Sequence, residues 1–396
     1  MEVALHRTRR LLLSSWIRLT RWEYWPPWLS YLPLVFWIGA LAIRHRSLVA
    51  FTAANPAIPA GGFIGESKFA ILDGLSKSRD RIARSELIAG CRPGREKLEQ
   101  VRVFMRRERL SLPVVLKPND GQRGSGVVVA WSHDELRAWL RRSVVDTIAQ
   151  EYVPGVEFGV FYCRKPWETH GRIISVTEKR PPFVVGDGRR SLEQLILDDR
   201  RSLAMARFHL RRQHARLNDV PAAGEAVSLG DLGTHCRGAL FLDGRAALSP
   251  EAERAFDEMS RLFEGFYFGR YDVRARSVED FKAGRFTVIE LNGVTSEATH
   301  IYDPRVGLVE AYRALFEQWS LAFEIGAANI RRGAATTSIP SLVRLLLHYR
   351  YTSRGHLDGR PPMTPGRLPS TPARRGPEPN RRSVLPRGEG ALVSRS

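Results

Sequence analysis

The chain has 396 residues, enough for two or three lobes with substantial cores, and 43% hydrophobic with 26% charged residues excludes a disordered or fibrous protein. Lys and Arg number 61 against 42 Asp and Glu, a net charge of +19, but no helix-turn-helix, zinc-finger or RNP-type signature accompanies it, which argues against a specific nucleic-acid binder. Cys91, Cys163 and Cys236 lie far apart, which excludes a disulfide scaffold and a cysteine-built zinc site and predicts a reducing, cytoplasmic home.

Residues 1–59 form an apolar N-terminal extension. Within it, 25–43 holds 19 residues without a charge, near the length of a bilayer span, with aromatic residues at its start and Arg18, Arg21, Arg44 and Arg46 on its flanks. Pro26, Pro27 and Pro33 leave only 34–43 as uninterrupted helix. The segment is expected to be a buried or surface-docked hairpin, with membrane contact through 25–43 as the alternative. No small-residue cleavage site follows it, which argues against a removable signal peptide.

A Gly/Pro/Ala-rich loop region over 51–68 leads into a short helix, 68–75. A break at 90–95 precedes a charged helix, 96–108. A short apolar strand, 112–116, ends in Lys117-Pro118; a glycine-rich turn, 119–126, and a return strand, 127–131, follow. Ser132 caps a helix to about Arg142, with Glu135 at the capping-box position. Strands are predicted at 148–153, 157–164 and 172–178, the first two broken by Pro154-Gly155. A helix starts near Ser191, and 198–218 reads as helical and basic. Paired strands at 266–273 and 286–291 flank a turn at 282–285, and amphipathic helix 308–328 closes the domain. A further helix, 336–353, precedes 354–396, where nine Arg against three acids and eight prolines predict a disordered basic tail. Antiparallel strand pairs interleaved with helices argue an α+β fold in more than one lobe.

Three elements carry chemistry. Lys117, leaving a buried strand directly before Gly121, Gly124 and Gly126, offers a point charge and approachable backbone N–H groups to phosphate. Gln150 to Phe158 offers a strand end to an adenine edge, with Glu157 able to accept from a ribose; a surface hairpin with an exposed acid is the plainer reading. In the third, Asp272 is followed 18 residues later by Glu290, and Glu290 and Asn292, two apart, share a strand face. Two carboxylates and an amide oxygen suit Mg²⁺; the alternative is neutralisation by Arg270, Arg274 or Arg285.

Taken in order, LPVVLKPNDGQRGSG, QEYVPGVEF and GRYD…ELN resemble the ATP-grasp superfamily, in particular the D-alanine–D-alanine ligase-like and cyanophycin synthetase-like carboxylate–amine ligases. The resemblance covers roughly residues 60–335 as the catalytic region and implies an ATP-grasp fold, two α+β lobes gripping ATP. It implies Lys117 and the loop with Gly121, Gly124, Ser125 and Gly126 on the ATP phosphates, and Lys68, 49 residues upstream, as an earlier phosphate contact. Gln150, Glu151, Val153 and Glu157 would hold adenine and ribose; Asp272, Glu290 and Asn292 would hold Mg²⁺ or Mn²⁺; Arg270 would stabilise the transferred phosphate. The family's usual Glu at the adenine edge is Gln150 here, and its usual Pro-Gly after the metal Asn is replaced by 293–297. The implied activity is ATP-dependent amide or peptide formation from small carboxylate and amine substrates through an acyl phosphate. The alternatives are a phosphotransferase acting on a hydroxyl and a non-catalytic nucleotide-binding protein.

Overall fold

The structure, a computed structural model, describes residues 2–120, 126–230 and 238–358. It opens with α1 (Glu2–Thr20), α2 (Pro27–Ser30) and α3 (Leu32–Arg44). Proline fixes φ near the helical value and lacks an N–H, so it is harmless in a first turn. Pro27 begins α2 and Pro33 falls in the first turn of α3, so the helix expected only from residue 34 starts two residues sooner. Leu34, Leu41 and Ala42 of α3 are buried. Among the described residues no helix is long and apolar enough to cross a membrane.

Next come α4 (Lys68–Gly74), β1 (Ser85–Ile88), α5 (Gly94–Arg107), β2 (Val114–Pro118), β3 (Val128–Ala130), α6 (His133–Arg142) and β4 (Thr147–Glu151). The four strands make an antiparallel sheet in the order β1-β4-β2-β3. Helices α5 and α6 cover one face, burying Val101, Phe104, Leu136 and Leu140 against Ile88, Val114 and Leu116. Ser132 caps α6 by accepting from Glu135 N, while the Glu135 carboxylate accepts from Trp131 N.

A second antiparallel sheet, ordered β11-β10-β5-β6-β9, is built from β5 (Val156–Cys163), β6 (Arg172–Arg180), β9 (Leu240–Asp243), β10 (Phe268–Ala275) and β11 (Thr287–Asn292). Between β6 and β9 lie the two-stranded β7 (Phe183–Val185) and β8 (Ala226–Ser228) with α7 (Leu192–Asp198), α8 (Arg200–Ala204) and α9 (Ala206–Arg212). Their apolar sides form a separate small core, with Leu11 and Ile17 of α1 packed against it. Helices α10 (Pro250–Leu262) and α11 (Val278–Lys282) precede β10 and β11 respectively, and α12 (Leu308–Arg331) and α13 (Ile339–Asp358) end the described chain.

Side chains alternate across a strand, and the five-stranded sheet uses both faces. Phe158, Val160, Tyr162, Tyr271 and Val273 point into a core shared with α4 and α10, closed by Phe256, Phe263 and Phe281. On the other face Phe161 and Phe268 pack with Phe323 of α12 and Leu41 of α3. The same face, an even number of residues further along each of these strands, carries the charges discussed below.

Two elements differ from expectation. Strands β4 and β5, adjacent in sequence, belong to different sheets, so 152–155 is a crossover and no hairpin forms there. The basic stretch 198–218 is not one helix: it breaks at Met205 into α8 and α9 and ends at Arg212, with Asp199 capping α8 through Ser202 N. Of the basic tail expected from 354, the first residues to Asp358 continue α13, because the helix runs five residues past its expected end at 353; the rest lies outside the described residues.

Candidate functional site

Strand β11 does not follow a simple period of two. Val288 and Leu291, three apart, both enter the core, which strict alternation forbids. A bulge resolves the conflict: the register runs Asp272↔Glu290 and then Val273↔Val288, leaving Ile289 as the extra residue. Ile289 and Glu290 therefore both face one cavity, and the Ile289 carbonyl, free of the ladder, accepts from Lys117 Nζ at 2.9 Å and Gln150 Nε2 at 3.2 Å. Those two donors come from β2 and β4, so the bulge is where the two sheets meet.

Around it the charges are dense. Asp272 accepts from Arg270 Nε at 3.0 Å and lies 3.0 Å from Lys179 Nζ. Lys179 also donates to Glu157 at 3.1 Å, and Glu157 takes Arg274 Nη2 at 2.9 Å. Lys68 Nζ stands 2.8 Å from Glu290 Oε1. The register explains the proximity, because Arg274, Glu157 and Lys179 are direct partners across three strands. Gly159 lies opposite Asp272, and a Cβ there would sit 3.4 Å from Arg270, Asp272 and Lys179, so the cluster occupies the space a side chain would fill.

Lys68 reaches the site through its helix start. Ser67 caps α4 by accepting from Ala70 N, and Asn119, just past β2, accepts from Phe69 N and from the Ser67 hydroxyl. The first turn of α4 is thereby fastened beside Lys117.

Burial sets the electrostatics. Lys117 is 5% exposed, and its ammonium is pushed down to about 8 by burial, with Glu290 partly opposing the shift. Burial pushes the Asp272 carboxyl up, but Arg270 and Lys179 outweigh it and hold it below the usual range. Glu290 behaves alike, with Lys68 and Lys117 overcoming burial. Burial lowers Lys179, yet Asp272 and Glu157 more than restore it. Glu66, beside Lys68, is pushed up by burial, and its Oε2 has no hydrogen-bond partner among the described residues. Five cations, Lys68, Lys117, Lys179, Arg270 and Arg274, thus face three ion-paired carboxylates, Glu157, Asp272 and Glu290. Within that cluster the excess is positive, which suits a polyanion such as a phosphate chain, while Glu66, Asp120, Glu151 and Glu297 also line the cavity.

All of these groups line one cavity of about 870 Å³. Of the residues singled out from sequence, Lys68, Lys117, Gln150, Glu151, Val153, Glu157, Arg270, Asp272, Glu290 and Asn292 all contribute to its wall. Their arrangement departs from expectation in places. The Gln150 amide, 2% exposed, accepts from Lys117 at 2.9 Å and donates to the Ile289 carbonyl, so it orients that lysine. The Glu151 carboxylate is bound in a two-pronged pair by Arg84, and the Val153 carbonyl accepts from Arg274 at 3.0 Å. Gly121, Gly124 and Ser125 lie outside the described residues; Gly126 is described, with φ 71° and Pro118 where a Cβ would stand. Next to these groups Val115, Val129, Tyr152 and Ile289 give the cavity an apolar slot between the sheets.

The oxygen donors for a divalent cation are Asp272, Glu290 and Asn292. Asn292 would offer its amide oxygen, and hard oxygen donors of this kind fit Mg²⁺ or Mn²⁺; its buried Nδ2, a donor, has no partner among the described residues. Among the described residues no three His, Cys, Asp or Glu side chains come together, so any such site depends on the amide. The neutralisation alternative is also visible, with Arg270 joined by two lysines in place of Arg274 and Arg285.

Sequence reading missed Lys179, which lies one residue past the strand end expected at 178, yet Ser175, Thr177 and Lys179 alternate along one face. It also gave no place in the site to Glu66 or to the N-terminal segment, which supplies Trp22, Tyr31, Leu34, Val35 and Ile38 to the cavity wall.

No family model matches the sequence, and no curated protein does. Among solved structures, the chain is similar to ATP-grasp ligases. One is a bifunctional glutathione synthetase from Pasteurella multocida, at 16% identity and a TM-score of 0.36 over 63% of this chain and 36% of that one. Another is D-alanine–D-alanine ligase from Bacillus anthracis, at 13% identity and a TM-score of 0.39 over 68% of this chain and 69% of that one. A third is VanG D-Ala:D-Ser ligase from Enterococcus faecalis, at 13% identity and 0.37 over 66% and 61%. The chain spans about a third of the glutathione synthetase. At this degree of likeness the functional reading rests on the site itself.

Proposed function

We propose that this chain is an ATP-dependent carboxylate–amine ligase of ATP-grasp type, using Mg²⁺ or Mn²⁺, and that residues 60–335 are its catalytic region. The observation that carries the reading is the convergence of Lys68, Lys117, Lys179 and Arg270 on the facing carboxylates Asp272 and Glu290 beside an apolar slot between two sheets. The slot suits a purine ring, and the excess cations suit its triphosphate.

In this scheme a substrate carboxylate oxygen attacks the γ-phosphorus of ATP and ADP leaves. An amine nitrogen then attacks the acyl phosphate, inorganic phosphate departs and the nitrogen gives up its proton. Lys117 and Lys68 hold phosphate oxygens, and Arg270, fixed by Asp272 and the Glu297 carbonyl, faces the charge that develops during transfer. Gln150 and the Ile289 carbonyl orient the Lys117 ammonium. A divalent cation held by Asp272, Glu290 and Asn292 would neutralise phosphate charge. The test is calorimetric titration of the full chain with ATP and Mg²⁺, followed by ADP release with a panel of carboxylates and amines. An absence of ATP binding sinks the reading; phosphate transferred to a hydroxyl instead would make the protein a phosphotransferase.

A second observation bears on location. Leu32, Phe36 and Ile43 of α3 fall on one stripe and are 47%, 72% and 81% exposed, with Arg44 and Arg46 at its end. On α1, Leu5, Leu12, Trp16 and Leu19 form another exposed stripe among arginines. Apolar rows flanked by cations lie in the surface of an anionic bilayer, and we read this face as a membrane-surface contact. Co-sedimentation with phosphatidylglycerol vesicles checks it, and loss on Phe36→Asp is the expected result.

A further inference from the structure

Resting on the ligase reading, the geometry points to the class of the amine: we propose that the substrate amine carries a long aliphatic tail, held in the half of the cavity that the N-terminal segment and α12 enclose. The two halves of the cavity differ in chemistry. Beyond the ion cluster its wall is Trp22, Leu34, Val35, Ile38, Leu315 and Trp319. The polar groups in this half are turned onto the protein. Tyr312 donates to the Ser30 carbonyl at 2.9 Å, Gln318 Oε1 accepts from Ala298 N at 3.0 Å while its amide donates to the Ser296 carbonyl, and Thr299 donates to Thr177 at 3.0 Å. Arg18 and Glu23 also line the wall beside Trp22, Glu23 lying 3.8 Å from Arg201, and the rest of what faces the space is hydrocarbon and ring faces, including Trp22 stacked on Tyr302 with centroids 5.5 Å apart.

At the junction of the two halves stands Glu297. Its carboxylate accepts from Tyr31 and, at 2.8 Å, from Tyr302, and its own carbonyl accepts from Arg270 at 3.1 Å. Glu297 lines the cavity in an orientation fixed from both sides, next to the arginine that faces the transferred phosphate. A carboxylate there selects an ammonium over a second carboxylate, which places the amine nitrogen beside the acyl phosphate and its tail along the apolar half. Tyr31 is the link, since the segment that roofs the apolar half also braces the head-group acid. Val35 lies on the cavity wall and is 60% exposed, so the space opens at the apolar outer side of α3, where a tail would enter.

The experiment is calorimetry on the full chain with n-alkylamines from butylamine to decylamine, alongside the matching carboxylates and ATP. Affinity for the amines is expected to rise about fourfold per added methylene, the ordinary yield of burying a CH₂. Ala311→Phe, which fills the apolar half, and Val35→Glu, which charges its mouth, should flatten that slope. Glu297→Gln should weaken every chain length by a similar factor and leave the slope. Thermal unfolding establishes that each variant is folded; Val35 is exposed, so its variant serves if Ala311→Phe does not fold. A flat chain-length series in wild-type protein that binds ATP overturns the tail while the nucleotide reading stands. Carboxylates that follow the slope in place of amines overturn the assignment to the amine, and a slope kept in the folded variants places the tail elsewhere and overturns the proposal. Failure to bind ATP removes the ligase reading and this inference with it.

Discussion

Lys117 makes the nucleotide reading testable without a mutation, because pH alone should switch it. Its ammonium sits at about 8 in the folded chain against 10.5 in the open, the cause being burial. At pH 7 roughly nine molecules in ten carry the charge and at pH 9 about one in ten, so if only the charged form grips phosphate, apparent ATP affinity falls about tenfold over that range. The γ-phosphate titrates near pH 6 and adds little above neutrality. Isothermal titration with ATP between pH 6.5 and 9.5 gives the curve, with the midpoint expected near 8. Lys117→Gln should bind at pH 7 more weakly than wild type does even at pH 9, and its affinity should be flat. The same depression bears on stability with a definite sign. Between 8 and 10.5 the unfolded chain holds a proton on this residue that the folded chain does not, so this group's penalty is full below 8 and lifts as pH rises through the window. The stability difference between wild type and Lys117→Gln should therefore shift in favour of wild type across it. An ATP affinity that is level from pH 7 to 9 in wild type refutes the placement of Lys117 on the phosphates.

Other consequences can be measured separately. Glu290→Ala removes one of two facing carboxylates and the partner of Lys68, and should lower divalent-dependent ADP release by about 10²–10³ while circular dichroism stays native. Lys179→Met leaves Asp272 with Arg270 alone and Glu157 with Arg274 alone; breaking buried pairs costs about 3–5 kcal/mol when a charge is stranded, and since each acid keeps one partner, urea unfolding should show a loss of about 3 kcal/mol or less. Gly62 has φ 82°, and a Cβ would lie 2.6 Å from Gly293 Cα, backbone against backbone. Gly62→Ala should therefore cost about 1–3 kcal/mol of stability and, because Gly293 follows Asn292, weaken the divalent-ion dependence of ATP binding as well.

Much of this site was legible because strand periodicity is a local property. Asp272 and Glu290 could be set side by side on adjacent strands, and Glu290 and Asn292 on one face from a separation of two; the structure pairs Asp272 with Glu290 directly. The bulge was not legible. Its only trace is that Val288 and Leu291 are apolar at a spacing of three, a pattern that a short segment shares with a helix turn, and it becomes meaningful once both side chains are known to be buried. Yet the bulge turns Ile289 toward the cavity and frees the carbonyl that Lys117 takes. The bond from Lys117 to Gln150, 33 residues on, was hidden for a related reason: it depends on β2 pairing with β4, and no local pattern states that pairing. The N-terminal segment is the clearest case. Its hydrophobicity was plain, but hydrophobicity has the same signature whether a helix packs on a core, meets lipid or walls a binding site. Helix α3 divides these among its faces: Leu34 and Ile38 look inward to the cavity and α12, while Phe36 and Ile43 look out. Only contact with Tyr302 and Glu297, some 270 residues away, makes the inward face part of a site, so the segment acquires a substrate-binding meaning from long-range packing that composition does not encode.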